Sequence, residues 1–210
     1  MLPKLKGVQL CTLPGGYGLR QEGLHEAAQR ILLERTGVQD IYPEQFSVFG
    51  APDRSNISGL HEFFSSNNIA FADHHWISQH FTSIGYYALV DFSKVTTTVG
   101  SFDESCAWHD VQQLPALAFD HADIIQKALE TLRLMLDHKL VVFHLLPATF
   151  TMKELQTLYE TILDKPLRRD NFQRKILSSG ILQRVEKKFT GAANKAPYLY
   201  RFGTAAVEDQ

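Results

Sequence analysis

Two stretches of this sequence carry side chains at spacings that suit chemistry. In the first, Gly16 is followed by five residues and Glu22, then by seven residues and Arg30, and Leu32, Glu34, Gly37 and Val38 complete the run. Helical spacing sets Arg30 and Glu34 at i and i+4, where they form a surface ion pair. In the second stretch Arg168, Arg169, Asn171, Gln173, Arg174 and Lys175 crowd together, and Lys187, Lys188 and Lys195 follow. These are donor-rich side chains able to contact phosphates or base edges.

The surrounding chain must position both groups. Of 210 residues, 44% are hydrophobic, enough for a folded core, and 21 basic against 23 acidic residues leave a net charge of −2. That balance hides an asymmetry: residues 1–149 sum to −6 and residues 150–202 to +6. An acidic body with a basic module implies two units with different partners, the basic one drawn to a polyanion. No apolar run approaches the ~20 residues of a membrane span. The start, Met1-Leu2-Pro3-Lys4-Leu5-Lys6, lacks the apolar core of a secretory signal. Cys11 and Cys106 cannot make a disulfide framework or a Cys-x-x-Cys zinc site, so a reducing cytoplasm is the expected setting.

Residues 13–18 read as a glycine-rich turn. A helix is expected from Gly23 to Thr36, with Leu24, Ala27, Ala28, Ile31 and Leu32 on its apolar face and Gly37 as its cap. Residues 42–50 alternate as a strand with Phe46, Val48 and Gly50 on one side, residues 52–80 form a long polar excursion, and Ile84–Phe92 reads as a buried strand. Cys106–His109 is a short strand, and Asp120 precedes a helix reaching Leu136. Pro147 marks the seam between domains.

Beyond the seam, Thr151-Met152-Lys153-Glu154 is a capping box, followed by a helix with Leu155, Leu158, Tyr159 and Ile162. Pro166 separates it from a helix over Asp170–Ser179, and strands Ile181–Phe189 and Tyr198–Phe202 follow. Helix, turn, helix and two-stranded wing is the order of a winged helix-turn-helix, whose second helix enters the major groove. The wing lysines would bind flanking phosphates, with Arg201 beside them in the second strand. The plainer alternative is a basic hairpin that packs on an acidic partner.

The stretch from Gly16 to Val38 resembles the Nudix box: Gly, five residues, Glu, seven residues, Arg-Glu-aliphatic-x-Glu-Glu-x-Gly-aliphatic. In that family the helix lines up carboxylates that hold divalent cations against a diphosphate. Here Ile31 and Arg35 stand where two of the glutamates belong, leaving Glu34 and the outlying Glu22, and Arg35 sets a positive charge where the family's cation would sit, which repels metal and could itself hold a phosphate. Phe49-Gly50-Ala51-Pro52-Asp53-Arg54, Gly85-Tyr86-Tyr87-Ala88-Leu89-Val90, Leu114-Pro115 and Ala118-Phe119-Asp120-His121-Ala122 extend the likeness. Phe150-Thr151-Met152-Lys153-Glu154-Leu155-Gln156 and Asn171-Phe172-Gln173-Arg174-Lys175 carry it to the C-terminal module. In this order, from Leu13 to Phe202, the blocks are similar to Nudix-related transcriptional regulators, and the segment 55–80 looks like that of a Bacteroidetes-type subgroup.

The resemblance implies an α/β fold: a Nudix-like α/β/α sandwich over 1–146, a winged helix over 147–203 and a tail over 204–210. It implies a bacterial, dimeric regulator that binds double-stranded operator DNA and senses a sugar or an ADP-ribose-like nucleotide sugar, without a membrane association. No catalytic residue, metal or other cofactor is expected. Gly16, Glu22, Arg30, Glu34 and Arg35 would line the effector pocket or residual box. The alternative is a Mg²⁺-dependent hydrolase of nucleoside diphosphate derivatives, with Glu22 and Glu34 on the metal. Since only about a dozen residues precede Gly15, the sheet is expected to lack an element upstream of the box, by truncation or by borrowing from a partner.

Other candidates carry less. His74, His75 and His80 read as loop histidines more than as a metal site, and Asp120-His121 as a helix start more than as a base and its orienter. Trp76, Phe81, Tyr86 and Tyr87 read as core or interface aromatics. Neither cysteine has a catalytic constellation beside it.

Overall fold

The computed structural model describes residues 1–37, 41–52, 64–68, 81–91, 95, 99, 103–136, 145–188 and 196–203. It divides into two compact units, Met1–Glu130 and Thr131–Gln210. His74, His75, His80, Trp76, Val38 and Lys195, and most of the 52–80 excursion, lie outside the described residues.

In the first unit β1 (Leu2–Leu5) runs antiparallel to β4 (Asp103–Ala107), with Leu2 opposite Ala107 and Pro3 opposite Cys106. The chain turns at Gly7, whose φ of +76° favours glycine, and comes back beside β1, so that Cys11 bridges both Lys4 and Leu117. One strand, β1, and the isolated bridges of Cys11 therefore lie upstream of the box. Because β4 must match β1, it begins at Asp103 and ends at Ala107, not at Cys106 and His109.

Helix α1 spans Leu24–Thr36. Glu26 reaches back to the Gly23 N–H (2.8 Å), and Gly37 closes the other end with φ +69° while its N–H bonds the Leu33 carbonyl. Ala27 is buried, but Leu24 is exposed, so the apolar stripe is narrower than the periodicity suggests.

Strands β2 (Glu44–Phe49) and β3 (Ser83–Tyr87) form a second antiparallel pair. A bulge between Gln45 and Ser47 breaks the expected alternation. It puts Phe46 and Phe49 on the same face, where a Cβ at Gly85 would come within 2.7 Å of Phe46 and 2.8 Å of Phe49. Val48 is thrown outward and is exposed. Pairing with β2 ends at Tyr87, which is why β3 stops short of the expected Phe92. Helix α2 follows over His121–Met135, with Ile124 buried, and the division between the units falls inside it.

The second unit holds β5 (Phe150–Thr151), α3 (Met152–Leu163), α4 (Arg169–Ser178), β6 (Leu182–Lys187) and β7 (Tyr198–Phe202). The sheet order is β5-β7-β6, all antiparallel. Its core is Leu136, Phe150, Leu155, Tyr159, Phe172, Ile176 and Tyr200. Phe150 has no exposed surface and packs on Phe202 at 4.8 Å between ring centroids. Burying such a ring contributes about 1.5–3 kcal/mol.

Candidate functional site

In the first unit Arg30 is the hub of the box. Its Nε and Nη2 reach both carboxylate oxygens of Glu22 (2.9 and 2.5 Å), Nη1 reaches Glu34 (3.2 Å), and Nη2 also donates to the Tyr17 carbonyl (2.7 Å). The Leu19 N–H donates to Glu22 as well, at 2.7 Å. These donors, Arg30 first, hold the Glu22 carboxyl at a pKa of about 2. One turn on, Arg35 spans two segments. Its Nη1 donates to the buried carboxylate of Asp103 (3.0 Å) and its Nε to the Gly15 carbonyl (3.3 Å). Gly16 lies so close to Ile31 that a Cβ there would sit 2.8 Å from its Cγ1. The two residues that depart from the Nudix pattern, Ile31 and Arg35, thus fasten the glycine-rich loop to the helix. The start of α2 also holds this loop, because His121 Nδ1 accepts the Leu13 N–H at 3.0 Å.

In the second unit the capping box forms as the sequence requires: Thr151 Oγ1 accepts the Glu154 N–H (3.2 Å), and Glu154 accepts the Thr151 N–H (2.6 Å). Glu160 sets the turn. Its carboxylate accepts from the Leu167 N–H (2.8 Å) and from Gln156 (3.0 Å), while Asp164 takes a left-handed φ of +53° at the end of α3. Helix α4 starts at Arg169, one residue before the expected Asp170. Phe172 and Ile176 fix its inner face against α3, with Phe172 edge-on to Tyr159 at 5.1 Å. Asn171, Arg174 and Lys175 then lie exposed on the opposite face, with Arg168 and Arg169 exposed at its start and Gln173 half-buried at the flank. Arg174 donates to Asn171 at 3.1 Å.

On the wing the lysines part company. Lys187 is exposed, its Nζ 5.5 Å from the centre of the Tyr198 ring. Lys188 lies beyond the end of β6 and pairs with Glu154 at 3.5 Å. Arg201 bonds Gln183 at 3.2 Å.

Residues 142–202 match the family described as the NrtR DNA-binding winged helix domain. The chain is 30% identical over 196 residues to the "ADPR responsive transcriptional repressor NtrR" of Acinetobacter baylyi (strain ATCC 33305 / BD413 / ADP1), covering 91% of this chain and 69% of that protein. The chain belongs to the NrtR family of Nudix-related transcriptional regulators. Shewanella oneidensis NrtR superposes with a TM-score of 0.66 at 27% identity, over 96% of this chain and 85% of that one. The same protein complexed with a 27mer DNA gives 0.64 at 24%, over 99% and 87%. A MutT/nudix family protein from Enterococcus faecalis gives 0.65 at 19% identity, over 96% and 78%, a likeness of fold.

Within this NrtR-family chain the Nudix-type fold carries the box and the winged helix carries α4. Sequence reasoning missed Asp103, which is 68 residues from its partner Arg35 and sits in a strand that no motif marks. It also missed Arg184, whose guanidinium carbon lies 4.2 Å from the centre of the Tyr198 ring.

Proposed function

We propose that this chain is a dimeric, cytoplasmic, ligand-responsive regulator of transcription that reads duplex DNA through α4 and senses an ADP-ribose-like nucleotide sugar in its N-terminal unit. The observation that carries the reading is the exposed Asn171-Arg174-Lys175 face, held outward by Phe172 and Ile176 in a domain of the NrtR winged-helix family. Such a face offers donors to base edges and charge to phosphates. The Acinetobacter relative is named for its response to ADPR, and the Shewanella relative has been crystallised with DNA. A twofold dimer would suit two half-sites a helical turn apart.

The box residues do not fit a Mg²⁺ site. Arg30 engages Glu22 and Glu34, and a guanidinium stands on Asp103 where a further carboxylate would be needed. We therefore assign the box to binding rather than hydrolysis. Purified protein should shift a labelled duplex from upstream of its own gene, and ADP-ribose should change the affinity. ADP-ribose incubated with Mg²⁺ and the protein should stay intact. Cleavage abolished by Glu34→Gln, with no duplex bound, would replace this reading by the hydrolase one.

A further inference from the structure

The wing carries an arrangement that strand alternation conceals. Arg184 stands opposite Tyr200 and Lys187 opposite Tyr198, so β6 advances three residues while β7 advances two. The extra residue is a bulge, and it reverses the facing of everything after it. Without it Arg184 and Lys187 would point to opposite faces. With it both converge on one ring, at 4.2 Å and 5.5 Å from the centre of Tyr198.

We propose that Arg184 and Lys187, seated on Tyr198, are the wing's contact to DNA backbone phosphates, and that Lys188 is instead a structural residue fixing the root of the wing to α3. This rests on the DNA-binding reading and deepens it. Four observations carry it. Arg184, Lys187 and Tyr198 are all exposed. Among the described residues neither cation meets a carboxylate, whereas Lys188 is paired with Glu154. A guanidinium resting on a ring face keeps the N–H donors of its own plane open to an anion. The ring also limits the side chain's rotamers, so less freedom is lost when a phosphate binds.

The test measures binding to a labelled duplex from upstream of the gene over a series of KCl concentrations. Arg184→Gln should flatten the slope of log K against log salt by about 0.9 and weaken binding about eightfold near 0.1 M salt. Lys187→Gln should do the same, and Arg184→Lys should keep the slope. Tyr198→Phe should bind as the unaltered protein does, while Tyr198→Leu should weaken binding with both charges present. Lys188→Gln should leave the slope unchanged. A wild-type slope in Arg184→Gln, or a loss of about 0.9 in Lys188→Gln, overturns the assignment. If the unaltered protein binds and the Arg174→Ala, Lys175→Ala variant does not, while Arg184→Gln is silent, only the wing proposal falls. Failure of the unaltered protein to bind duplex at low salt overturns both readings.

Discussion

Replacing Arg35 by leucine tests whether the box has become a structural joint. The Asp103 side chain is only 6% exposed and the Arg35 side chain 33%, at 3.0 Å. Removing one partner of a fully buried pair costs about 3–5 kcal/mol. Water reaches the Arg35 side of this pair and Asp103 keeps other interactions, which brings the expected loss to about 2 kcal/mol. For a unit of some 130 residues this lowers the melting temperature by roughly 8 °C. Calorimetry is the appropriate assay, because two units can unfold in separate transitions and only that of the first should move. The double variant Arg35→Leu, Asp103→Leu leaves no stranded charge and should recover most of the loss. An Arg35→Leu protein as stable as the parent would refute the reasoning, as would a double variant no better than the single.

The recognition-helix variant Arg174→Ala, Lys175→Ala should flatten the salt dependence of duplex binding by about 1.8, one phosphate contact for each charge. Because the Glu22 carboxyl is held at about 2 instead of the ordinary 4.5, chiefly by Arg30, its contribution is complete above pH 4.5 and is lost as pH falls toward 2. Glu22→Gln should therefore flatten the loss of stability in that window, read from denaturant midpoints at successive pH values. Thr151→Ala removes the oxygen that accepts the Glu154 N–H and should cost about 1 kcal/mol, measured by thermal unfolding.

What the sequence made legible was local. Thr151 and Glu154 lie three residues apart and form their box with no help from elsewhere; Gly37 ends α1 because a left-handed residue is needed there. The order of α3, α4 and the wing follows from periodicity and from Pro166. What was hidden depends on register or on distance along the chain. The bulges at Gln45–Ser47 and Arg184–Lys187 each turn an odd number of residues into a shared face, and no period-two pattern reveals them. β5 is two residues long and exists only because β7 is there to pair with it. Asp103 was equally invisible: it becomes part of the box when β1 brings β4 beside the end of α1.

The chemistry of each charged side chain here is decided by its neighbour rather than by its type. Glu22 and Glu34 have the right identity for a metal site, yet Arg30 pairs with both, and Glu22 also holds the loop through the Leu19 N–H. Arg35 is a cation, but it spends part of its donor set on Asp103 and Gly15. The same rule separates Lys188, bound to Glu154, from Arg184 and Lys187, which rest on an uncharged ring. A phosphate approaching Lys188 shares it with a carboxylate, while one approaching Arg184 displaces only water and released counterions. The net charge of the module is the same in both arrangements, so composition alone draws the chain toward DNA, and the bulge in β6 decides which cations reach it.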